Sequence, residues 1–142
     1  MKVSNNFVLS EFCHPDIYNH PAIGTRCIDW LNVQLIPTVQ LLRDDMGPLL
    51  INDWEWGGNY VDSGLRVFND NQYAQFSSHK GGNAVDIKPQ KVSCAELYYN
   101  ILNNQHKYPH ISRLENIEYT PTWVHVEVCS SISMGEVIVF NP

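Results

Sequence analysis

The sequence predicts an α+β domain with a largely antiparallel sheet. Three observations carry this. Apolar residues recur at helical spacing early in the chain, strict alternation appears most clearly near its end, and no strand–helix–strand rhythm links the two. At 142 residues, with 44% hydrophobic side chains, the chain can close one core. Nothing repeated or linker-like divides it, so residues 1–142 are read as one domain.

The elements follow in order. Phe7–Phe12 alternates apolar and polar side chains and forms a short opening element. Ile28, Leu31, Leu35, Val39 and Leu42 share a helical stripe that ends at Met46, before Gly47-Pro48. Pro37 interrupts the stripe, predicting two helical pieces, or one kinked helix, meeting near Ile36. Leu49–Ile51 is a short buried strand, and the aromatic stretch Trp54–Tyr60 a loop or hairpin rim.

Asn83–Lys88 reads as a strand with Val85 and Ile87 on its core face. Ser93, with Glu96 three residues on, is a capping box that opens a helix running to about Asn103. In Trp123–Val128 the three valines share one face, while Trp123, His125 and Glu127 share the other. Val137–Phe140 is the last strand.

Composition excludes some functions. A net charge of −6 with only nine scattered Lys and Arg is the opposite of a phosphate-binding surface, which argues against nucleic acid as a partner. Cys13, Cys27, Cys94 and Cys129 include no CxxC pair and are read as small buried thiols of a reducing cytoplasm. Met1–Asn6 turns polar at once, without the apolar core of a signal peptide or a membrane span. The expectation is a soluble protein made in the cytoplasm, with no membrane insertion, that something else must deliver to any external substrate.

The chemistry concentrates in Ser77–Asp86 (SSHKGGNAVD). His79 heads a Gly-rich turn and Asp86 lies on the strand after it, opposite the core-facing Val85 and Ile87. Gly82 and Ala84 leave room for an ion beside the backbone. His125, on the polar face of the best strand, supplies a third donor. Two His and one carboxylate with an open position suit a catalytic metal rather than a closed structural one. Any one of the three alone would read as a surface or hydrogen-bonded side chain; only the combination points to a metal.

The combination also resembles a known family. The stretch SxHxxGxAxD from Ser77 to Asp86, with Trp123-Val124-His125 late in the chain and Ser63-Gly64-Leu65-Arg66 before, is similar to the signature of the zinc D-Ala-D-Ala carboxypeptidases and L-Ala-D-Glu endopeptidases. VanX-type dipeptidases, several phage endolysins and the hedgehog signalling domain belong to the same family. Leu65 departs from the aromatic residue usual there. Leu9-Ser10-Glu11-Phe12 is similar to the opening common in the family, so the resemblance covers nearly the whole chain.

The resemblance implies a Zn2+ peptidase with His79, Asp86 and His125 as ligands. It implies Arg66 as the fork for a substrate carboxylate, where the competing reading is a surface pair with Asp62. Ser77 would steady the metal site or the peptide. The base is a carboxylate upstream of the last His. Thr122 holds the near position and cannot serve, so Glu118 is assigned, with Glu115 as second choice and Glu127 as a residue supporting a ligand.

The implied substrate is the peptidoglycan stem peptide, cut at L-Ala-D-Glu or trimmed of terminal D-Ala. The setting implied is a phage lysis protein released by a holin, or a virion component among other phage proteins. A cytoplasmic D-Ala-D-Ala dipeptidase is a further option. The alternative of another class is a zinc-holding binding or structural virion protein without catalysis.

Overall fold

The computed structural model describes residues 1–67, 77–131 and 135–142. It is an α+β domain around a five-stranded sheet: β1 (Leu49–Leu50), β2 (Ala84–Pro89), β3 (Ile111–Glu115), β4 (Val124–Val128) and β5 (Ile138–Phe140). The spatial order is β1-β2-β4-β3-β5, and every pairing is antiparallel except that of β3 with β5. Among the described residues three α-helices accompany it: α1 (Pro15–Tyr18), α2 (Leu35–Met46) and α3 (Cys94–Asn103). None of the described helices is long and apolar enough to cross a membrane.

Alternation sets the two faces of the sheet. Val85 and Ile87 of β2, Val124 and Val126 of β4, and Leu114 of β3 are fully buried in one core with Leu97 and Ile101 of α3 and Leu35, Val39 and Leu42 of α2. Full burial of each such side chain contributes about 1.5–3 kcal/mol. The opposite face of β4 carries His125 and Glu127, and that face builds the site. The central strand is buried along its whole length, so its polar side chains must find partners within the protein.

The capping box forms as expected. Ser93 Oγ accepts the Glu96 N–H, the Glu96 carboxylate accepts the Ser93 N–H at 2.7 Å, and α3 ends at Asn103. The early stripe differs from the expectation. A 3-10 stretch over Gly24–Trp30 precedes α2, the break falls at Leu31–Gln34 rather than near Ile36, and Ile28 is exposed rather than in the core. Pro37 sits in the first turn of α2, where its missing N–H leaves no bond unmade.

Phe7–Phe12 closes as a 3-10 turn over Leu9–Phe12, and Trp54–Tyr60 is a loop holding a 3-10 turn over Trp54–Trp56. All four cysteines are free thiols. Cys13 and Cys27 are fully buried with their Sγ atoms 3.0 Å apart.

Two close approaches bring distant segments together. The Ser63–Leu65 segment runs beside β2, where Asp86 N–H donates to the Ser63 carbonyl, and Leu65 N–H donates to the Phe12 carbonyl at 2.8 Å. Gly64 makes this possible, since a Cβ there would lie 2.3 Å from the Phe12 carbonyl oxygen. Gly82 turns with φ +67°, and a Cβ on it would lie 2.0 Å from the Trp30 carbonyl oxygen. Gly82 therefore seats the turn on the Trp30–Leu31 backbone. The room it leaves is for the neighbouring chain, not for an ion.

Candidate functional site

His79, Asp86 and His125 converge although they come from a turn and two strands. β2 and β4 pair Asp86 directly with His125, and the Gly82 turn brings His79 back over them. His79 Nε2 lies 3.3 Å and His125 Nδ1 2.8 Å from Asp86 Oδ1, and the two imidazole nitrogens are 3.2 Å apart. One donor atom from each residue lies within 4.8 Å of the others, a group able to hold a metal ion.

The surrounding bonds fix which atoms face inward. His79 Nδ1 is 2.9 Å from the Gly64 carbonyl. A carbonyl only accepts, so Nδ1 carries the hydrogen and Nε2 offers its lone pair to the centre. His125 Nε2 is 3.2 Å from Glu127 Oε1, which likewise puts that hydrogen outward and turns Nδ1 inward. The second oxygen of Glu127 accepts from Arg113 Nη1 at 3.2 Å. Arg66 Nη2 donates to Asp86 Oδ2 at 2.8 Å, leaving Oδ1 for the centre.

Electron pairs aimed at one point repel unless a cation sits among them. In the metal-free protein a proton takes that place. Burial disfavours charge on His125, but its hydrogen bonds to Asp86 and Glu127 outweigh this and raise its pKa to about 9. Burial opposes the charge of Asp86 too, yet its bonds to His125 and His79 hold its carboxyl well below the usual range. Desolvation keeps His79 below the ordinary imidazole value, hence neutral. A neutral His, an ionised Asp and a His whose inner nitrogen gives up a proton form a donor set suited to a divalent cation.

The group opens into a cavity of about 510 Å³ lined by Arg66, Ser77, Arg113, Glu115, Trp123 and Phe140, among others. A second cavity of about 300 Å³ shares Arg66, Asp86 and Trp123 with it and extends toward Tyr60 and Lys88.

The carboxylate expected to act as base lies elsewhere. Glu118 is exposed in the turn after β3, absent from the cavity lining, and its charge is felt at Tyr98 of α3. Glu115 lines the cavity instead. The β3–β4 register pairs Arg113 with Glu127 and Leu114 with Val126, so one residue further sets Glu115 beside His125. Burial raises the Glu115 carboxyl above its ordinary value, against the lowering charges of His125 and Arg66.

The other expected residues divide. Ser77 lines the cavity, and Glu127 supports His125 as anticipated. Arg66 reaches the site, but its Nε donates to the Asp62 carbonyl and its Nη2 to Asp86, so one edge of its fork is already committed. Arg113 carries no signal in the sequence, and Phe140 reads only as the end of the last strand. A bulge between Ile111 and Arg113 spoils the alternation that would have marked β3 as a strand.

Comparison with protein-family models, curated proteins and solved structures returned no match. The functional reading rests on the residues themselves.

Proposed function

We propose that this chain is a zinc peptidase that hydrolyses D-amino-acid-containing peptide bonds of bacterial peptidoglycan. One observation carries the reading: three inward-turned donors, each fixed by an outer hydrogen bond, converge at a cavity that also holds a carboxylate. The resemblance of Ser77–Asp86, Trp123–His125 and Ser63–Arg66 to the peptidase signature supports the choice of zinc and of substrate. With it comes the setting of a phage lysis or virion-associated protein, acting on the wall after holin release or from the particle.

Zinc bound by His79, Asp86 and His125 would supply a Lewis acid that acidifies water and polarises the scissile carbonyl. The chain does the rest. Glu115 takes the proton of the attacking water and passes it to the departing amine, so a C–O bond forms, the C–N bond breaks and the carboxylate is restored. Its raised pKa suits a group that must accept a proton and then give it away. Glu127 orients His125, and Arg66 turns Asp86 so that one oxygen faces inward.

A digest of purified peptidoglycan by the zinc-loaded protein, with the released termini identified, tests the reading. New amino termini at L-Ala-D-Glu or released D-Ala are expected, and both should vanish in His79→Ala. If the loaded protein binds stem peptide but leaves it whole, the chain is the non-catalytic zinc-holding binding protein instead.

A further inference from the structure

We infer that Arg113 and Phe140 form a carboxylate-binding subsite beside the metal group. The inference rests on the peptidase reading for the identity of the ligand as a peptide, and on the cavity alone for its chemistry. Arg113 lines the same cavity as His125 and Glu115. Its guanidinium carbon lies over the Phe140 ring, 4.1 Å from the centroid, a cation–π contact that holds the group against the wall. Nη1 donates to Glu127 Oε2 at 3.2 Å and fixes the rotation of the plane.

The two arginines of the cavity differ in what they have left to give. Arg66 has its Nε–Nη2 edge occupied by the Asp62 carbonyl and Asp86. Arg113 uses only Nη1, so among the described residues its Nε–Nη2 edge has no partner. That edge presents two parallel N–H groups, the geometry that takes a carboxylate in a bidentate grip. The Arg113 side chain is 42% exposed and Glu127 neutralises part of its charge, so the site is open without an unpaired buried cation.

Register sets the reach. Arg113 pairs with Glu127, two residues along β4 from His125, which is about 6.8 Å at the strand rise. A carboxylate gripped there belongs within about two residues of a bond held at the metal. The ligand class is therefore a peptide with a free carboxylate close to the scissile bond, on the β5 side of the site.

The test compares the affinity of the zinc-loaded protein for N-acetyl-L-alanyl-D-glutamate and for its bis-carboxamide, in wild type, Arg113→Ala and Arg113→Lys, with zinc measured in each. Wild type should prefer the carboxylate, and Arg113→Ala should lose at least about tenfold of that preference, the scale of a charge-assisted hydrogen bond. Arg113→Lys keeps a charge beside Glu127 and serves if the alanine variant sheds its zinc; it should retain zinc and still lose much of the preference. A preference that stays within about twofold of wild type in zinc-loaded Arg113→Ala, or in Arg113→Lys where the alanine variant cannot hold zinc, overturns the subsite, as does a wild type with no preference. Hydrolysis is scored separately. A preference that depends on Arg113 in a protein that cuts nothing would leave the subsite standing and remove the peptidase.

Discussion

Glu127 and His125 stand two residues apart on one face of β4, and the Glu127 carboxylate accepts the Nε2 hydrogen of His125 at 3.2 Å. That bond makes Nδ1 the inward nitrogen. Glu127→Gln should therefore weaken metal binding by about 10–100-fold without unfolding the protein, as loss of a ligand-orienting carboxylate does. Zinc titration against a competing chelator reads it. Unchanged affinity would mean that the edge-on contact of the His125 ring with Phe140, centroids 5.8 Å apart, orients the ring instead.

Assignment of the base is tested by pairing Glu115→Gln with Glu118→Gln. The first should keep its zinc and lose about 10²–10⁴-fold in hydrolysis. The second removes an exposed carboxylate outside the cavity lining and should leave the rate within about twofold of wild type. An inactive, zinc-loaded Glu118→Gln would return the role to Glu118.

Proton and metal compete for His125 Nδ1. With a metal-free pKa of about 9, His125 is charged at neutral pH, so loading at pH 7 should release about one proton. Apparent affinity should climb about tenfold per pH unit and level off near 9. The fold has the matching sign: in the metal-free protein the His125 ion pairs contribute fully below about pH 6.5, the unfolded value, and fade as pH rises through about 9. Calorimetry in buffers of different ionisation enthalpy counts the proton, and a count near zero would mean that His125 is already neutral.

Gly82→Ala should destabilise the protein by more than about 1 kcal/mol, because a side chain there meets both a positive φ and the Trp30 carbonyl. Denaturant unfolding of the metal-free protein separates this from any effect on zinc. A neutral result would show that the turn does not dock on Trp30.

Where side chains alternate without interruption, the sequence was legible. Val124, Val126 and Val128 fix the parity of β4, and so place His125 and Glu127 together on the site face. Ser93 and Glu96 mark the start of α3 in the same way, since a capping box is local. The bulge in β3 is not local. It puts Ile111 and Leu114 three apart on one face, which hides the strand; β3 then ends at Glu115, so Glu118 falls in the turn beyond it rather than on an extended segment beside β4. Arg113 was lost to the same bulge. The role of Gly82 could not be read either, because its close neighbour, Trp30, lies some fifty residues away in the chain.

Metal content is the most direct test of the central claim. Protein purified without chelator should carry about one zinc per chain by elemental analysis, and His79→Ala and His125→Ala should each empty the site while the fold persists. Wild-type protein that is folded, never exposed to chelator, free of zinc and unable to take it up from solution would contradict the claim.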